Sequence, residues 1–164
     1  MIRVALRSLF LAVAALAIAA SDAASDTAAP VYRVRLPMDY RSWELIAPAV
    51  EAAPLDELRV VLGNSVAVEA ARAGTLPYPD GAVLVKLAWK RVPSAEFAPA
   101  SVPGDATTVQ VMVKNSARYT SSGGWGFGRF VAGKPADLAQ HETCLPCHRE
   151  RVPDNDLVFT RYAP

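Results

Sequence analysis

Only two cysteines occur in the 164 residues, and both fall in one five-residue stretch near the C-terminus, Cys144-Leu145-Pro146-Cys147-His148. The C-x-x-C-H spacing lets two thiols add to the vinyl groups of one haem while the adjoining histidine ligates its iron. The stretch therefore predicts a c-type haem protein, with Cys144 and Cys147 as attachment points and His148 as proximal ligand. A structural zinc site would need about four Cys or His ligands, and only His141 is left to add. A thioredoxin-like redox pair would normally follow a strand early in a βαβ unit.

The N-terminus agrees with this chemistry. Arg3 and Arg7 precede an uncharged apolar run from Leu9 to Ala20, and small residues continue through Ala24. This order of basic, apolar and small residues predicts a secretory signal over 1–24. The run is short and rich in alanine for a membrane span, so no membrane association is expected after cleavage. Export to the periplasm suits covalent haem, which bacteria attach outside the cytoplasmic membrane.

Removing Arg3, Arg7 and Asp22 from 17 basic and 16 acidic residues leaves 15 of each. With neither a basic block nor a basic amphipathic stretch, nucleic acid and anionic membrane surfaces are excluded as expected partners. A small molecule or a redox protein fits better. Residues 25–164 make one domain with a single core and no repeat, and residues 25–30 read as a loose arm.

The layout departs from that of ordinary small cytochromes, which are nearly all helical with the haem motif close to the N-terminus. Here the motif comes last. Glu57 to Asn64 reads as a strand, and Asn64 then caps an alanine-rich helix ending at Gly74. Pro77 to Gly81 is a turn. Ala82 to Val92 alternates, with Val83, Val85, Leu87 and Trp89 on one face and Leu84, Lys86, Ala88 and Lys90 on the other. Thr107 to Lys114 and Trp125 to Val131 are further strands. Asp39 to Ala47 reads as a short helix stopped by Pro48, and a helix from about Gln140 to Arg151 carries the haem motif. The expected class is α+β, an antiparallel sheet with flanking helices and a C-terminal haem-binding helix.

These pieces carry a resemblance. Cys-x-x-Cys-His followed by Asn155-Asp156-Leu157-Val158-Phe159-Thr160-Arg161-Tyr162 resembles the cytochrome P-460 family. The match extends through Tyr40-Arg41-x-Trp43, Glu57-Leu58-Arg59-Val60-Val61 and Pro79-Asp80-Gly81-Ala82-Val83-Leu84-Val85-Lys86. The resemblance implies a homodimeric haem c protein that oxidises hydroxylamine and in which a lysine is bonded to a haem meso carbon. Closely related cytochromes c-prime-beta bind gases such as nitric oxide without that bond.

The lysine matched by this resemblance is Lys86. A solvated strand lysine should have polar companions on its own face, yet Leu84 and Ala88 flank it. Arg59 matches an arginine near the haem pocket, and a surface or propionate-pairing role fits it equally well. The resemblance implies a five-coordinate iron. Candidate sixth ligands are His141, Met38 and Met112. His141 lies too close to the motif to reach around the ring, and a lone methionine is more often core. Trp125 and Phe127, or Phe97 and Phe130, are candidates for an apolar wall.

Oxidation of hydroxylamine removes protons as well as electrons, so a carboxylate base would assist it. Active relatives place one just before the haem motif, where this chain has Asp137, Ala139 and Glu142. Helix capping accounts for both acids without catalysis. Two expectations follow: a hydroxylamine oxidoreductase, or a non-catalytic protein that binds nitric oxide or transfers electrons.

Overall fold

Alternating side chains make each long extended segment two-faced, and burying both faces requires cover on each side of a sheet. The structure, a computed structural model, describes residues 27–163. The proposed signal segment, 1–24, lies outside them. The strands β1 (Glu44–Glu51), β2 (Glu57–Gly63), β3 (Val83–Pro93), β4 (Ser101–Lys114), β5 (Trp125–Val131) and β6 (Lys134–Pro135) lie side by side in chain order, each antiparallel to the next. Helices α1 (Ser65–Ala73), α2 (Leu138–Glu142) and α3 (Cys144–Arg151) complete an α+β fold.

Register places Leu84, Met112 and Phe127 in one row across β3, β4 and β5. The next row is Val61, Lys86, Gln110 and Arg129. Partners in register share a face, so this side combines an apolar row with a polar one. Helix α1 and the C-terminal segment cover it, Val68 and Val158 packing in one cluster with Ile46 of β1 and Trp125 of β5. The opposite face buries Val85, Leu87, Val111 and Phe130 under Ala29, Val34 and Tyr40.

That second core corrects one expectation. Of residues 25–30, read as a loose arm, Ala28 and Ala29 are buried, and Ala28 pairs with Arg35. Gly128 has no side chain to hold the arm off: a Cβ there would meet Val34 and Ala29 at 3.1 and 3.3 Å.

The expected helix over Asp39–Ala47 is also corrected. Tyr40–Ser42 forms a single 3-10 turn, and Glu44–Glu51 is strand β1, running through Pro48. Proline removes a ladder donor and is confined to edge strands, and β1 is an edge of this sheet. Elsewhere the chain signals hold. Asn64 accepts from the Ala67 amide at 3.0 Å to start α1, and Gly74 ends it in the left-handed conformation with φ of 65°. The single helix expected over 140–151 is broken in two at Thr143.

Candidate haem site

A cavity of about 670 Å³ separates α3 from the Lys86 face of the sheet. This lies within the roughly 300–1,000 Å³ of ligand pockets. Cys144, Cys147 and His148 line it from the helix, Lys86 and Arg59 line it from the strands, and Leu84, Met112, Phe127 and Val158 give it apolar walls. All five predicted site residues thus meet in one place. The two cysteines form no disulfide; Cys144 is partly buried and Cys147 exposed. Burial pushes the Cys144 thiol pKa up, with the nearby Arg129 charge opposing it.

The His148 imidazole is fixed from three directions. Its Nδ1 lies 2.6 Å from the Leu157 carbonyl, so that nitrogen is the donor and Nε2 is left for a metal. Phe127 and Phe159 hold the ring edges, with centroids 4.9 and 4.8 Å away. Burial lowers the His148 pKa, the Leu157 bond opposes this, and the Lys86 charge lowers it further. The neutral imidazole that metal ligation requires is therefore favoured.

Lys86 faces Glu51, a carboxylate that the sequence reading missed. Glu51 Oε2 lies 3.2 Å from Lys86 Nζ, and Arg59 Nη1 donates to Oε1 at 2.7 Å. Register explains the meeting: Glu51 pairs with Glu57 and Ala49 with Arg59 across β1 and β2, while Val61 pairs with Lys86 across β2 and β3. Reading Asp39–Ala47 as helix hid the alternation Ala47, Ala49, Glu51 that puts the acid on this face. Glu57, which is buried, joins the partly exposed Glu51 in the cavity lining.

The acids before the motif do not reach the cavity. Asp137 caps α2, accepting from the Gln140 amide at 2.8 Å, while Ala139 and Glu142 are exposed; none of the three is a lining residue. Among the sixth-ligand candidates, Met38 is fully exposed. His141 is buried and engaged twice, accepting from the Arg129 amide at 3.0 Å and donating to the Asp137 carbonyl at 2.8 Å. Met112 alone lines the cavity. Of the aromatic residues, Phe127 is in the wall, Trp125 packs beside it against Tyr78, Phe130 belongs to the opposite core, and Phe97 is exposed.

These residues fit a haem. Two thiols and an imidazole with a free Nε2 stand on one wall, and apolar side chains can take the ring faces. Arg59 and Arg129 each carry a buried Nε with no partner among the described residues. Guanidinium groups with donors to spare match the carboxylates of haem propionates. No curated protein matches the chain. The family model for cytochrome P460 matches residues 37–160, a span that takes in the sheet, the cavity strands and the Cys-x-x-Cys-His helix. The chain belongs to the cytochrome P460 family, and is on that ground a haem protein.

Proposed function

We propose that the protein is an exported haem c oxidoreductase that binds hydroxylamine and oxidises it toward nitrous oxide or nitrite, passing the electrons to a redox partner protein. The observation that carries this reading is the position of Lys86. It lines the same cavity as Cys144, Cys147 and His148, and its charge is felt at the His148 ring.

Attached through Cys144 and Cys147, a haem would supply an iron that takes up and gives back single electrons. The residues do the rest. His148 would hold the iron through Nε2, with the Leu157 carbonyl fixing its tautomer. Arg59 and Arg129, which line the cavity with an Nε to spare, would hold the propionates. Glu51, oriented by Arg59, is a cavity carboxylate available to receive protons from hydroxylamine. Lys86 is the amine available for attachment to the ring. The hydroxyl of Thr108 and the amide of Gln110 add neutral polar groups to the lining.

Adding hydroxylamine to the purified ferric protein with an artificial electron acceptor should consume hydroxylamine and reduce the acceptor in proportion. Spectral binding without consumption would leave the second reading, a nitric oxide-binding or electron-transfer protein. One observation favours that alternative: Asp137 and Glu142, the acids next to the haem motif, do not line the cavity. Periplasmic location and a homodimer belong to the proposal too, supported by the signal-like sequence of residues 1–24 and by the family resemblance. No helix among the described residues is long and apolar enough to cross a membrane.

A further inference from the structure

Behind His148 lies a buried ion pair that the site so far leaves unused. Lys114, 4% exposed, ends β4 two residues after the cavity-lining Met112. Its ammonium donates to both carboxylate oxygens of Asp156 at 2.8 and 2.9 Å and to the Gly123 carbonyl at 3.1 Å, and it lies 4.9 Å from the centre of the Trp125 ring. The Tyr78 amide adds a further hydrogen bond to Asp156, at 2.8 Å. Asp156 and Leu157 both adopt positive φ, 48° and 61°. Leucine disfavours that region, so the surroundings must hold it there. The same backbone turn aims the Leu157 carbonyl at His148 Nδ1, 2.6 Å away.

We propose that the Lys114–Asp156 pair is a positioning device for the haem ligand, holding the 156–157 turn so that the Leu157 carbonyl polarises His148. Neither residue touches the iron or a substrate. They act through one carbonyl. An Nδ1–H that donates to a well-aimed acceptor makes Nε2 a stronger donor, which favours ferric over ferrous iron and stiffens the iron–histidine bond. Surface anchoring alone would not need a buried charge pair, whose desolvation makes it weak evidence for stability. This inference rests on His148 ligating haem iron, and not on hydroxylamine being the substrate.

The test uses the haem-loaded protein and two variants, Lys114→Met and Asp156→Asn, with Val34→Ala in the core on the opposite face of the sheet as a control for lost stability. Resonance Raman of the ferrous protein reads the iron–histidine stretch, and redox titration reads the potential. Both variants should lower the stretching frequency and move the potential positive while keeping the thioether-bound haem. The double variant should shift no further than the larger single shift, because the pair acts as one device. Val34→Ala should lower Tm and leave both readouts alone. If Asp156→Asn does not fold, Lys114→Gln, which keeps a donor to Asp156 without the charge, carries the same measurements. Variants that lose stability as the control does, with frequency and potential at wild-type values, would overturn the proposal.

Discussion

Glu51 is where the chemistry of the site is most sharply exposed to test. Its carboxylate is held by Arg59 at 2.7 Å and Lys86 at 3.2 Å, with each side chain about one-fifth exposed. Glu51→Gln keeps the size and a hydrogen bond to Arg59 but cannot take a proton. If Glu51 is the base, hydroxylamine oxidation should fall by about 10²–10⁴-fold, the usual contribution of a positioned acid–base group. Haem attachment at Cys144 and Cys147 should be unaffected, as intact mass will show. An unchanged rate removes Glu51 from proton handling. Met112 gives a second test at this scale. As the only sixth-ligand candidate in the cavity, it decides the spin state: an open position predicts a high-spin ferric signal in electron paramagnetic resonance. A low-spin signal that becomes high-spin in Met112→Ala would identify a bound thioether instead.

At the level of elements, Asn64 joins helix to sheet. Its side chain accepts from the Ala67 amide and from the Val83 amide, each at 3.0 Å, and donates to the Gly81 carbonyl at 2.8 Å. It thereby ties the start of α1 to the strand that presents Lys86. Asn64→Ala should cost about 1–2 kcal/mol, the upper range for a lost cap, read as a lower denaturant midpoint. Signals of this local kind are what made much of the layout legible. The Asn64 and Gly74 caps and the alternation of β3 lie in a few adjacent residues, and the structure agrees with them. Strand β1 was not legible, because Pro48 reads locally as a stop while its tolerance depends on β1 being an edge, a property of the whole sheet. Glu51 was missed for the same reason. The burial of Ala28 and Ala29 depends on Gly128, a hundred residues further along the chain, and no local pattern announces it.

Across the whole molecule, the cavity forms only because distant segments close on one sheet face, and polar clasps hold them. Asp80 accepts from the Ser116 amide and hydroxyl, each at 2.8 Å, joining the turn before β3 to the loop after β4. Hydrogen bonds from Ser116 lower the Asp80 pKa, and those from Gln140 lower that of Asp137. A carboxyl with a lower pKa folded than unfolded binds fewer protons when folded. Its contribution is therefore complete above the unfolded value of about 4 and is lost as pH falls through the folded one. Asp80→Asn should flatten the acid loss of stability below about pH 4, measured by denaturant unfolding at several pH values. The proposed homodimer is checked by light scattering, which should give twice the mass of the mature chain. In the proposed holoprotein, one cavity brings Lys86 to a haem held by Cys144, Cys147 and His148. Peptide mapping of the haem-bearing fragments from periplasmically expressed protein tests it most directly. Haem attached at Cys144, Cys147 and Lys86 together is the expected result, whereas haem found on the two cysteines alone, with Lys86 recovered unmodified, would rule out the Lys86 bond.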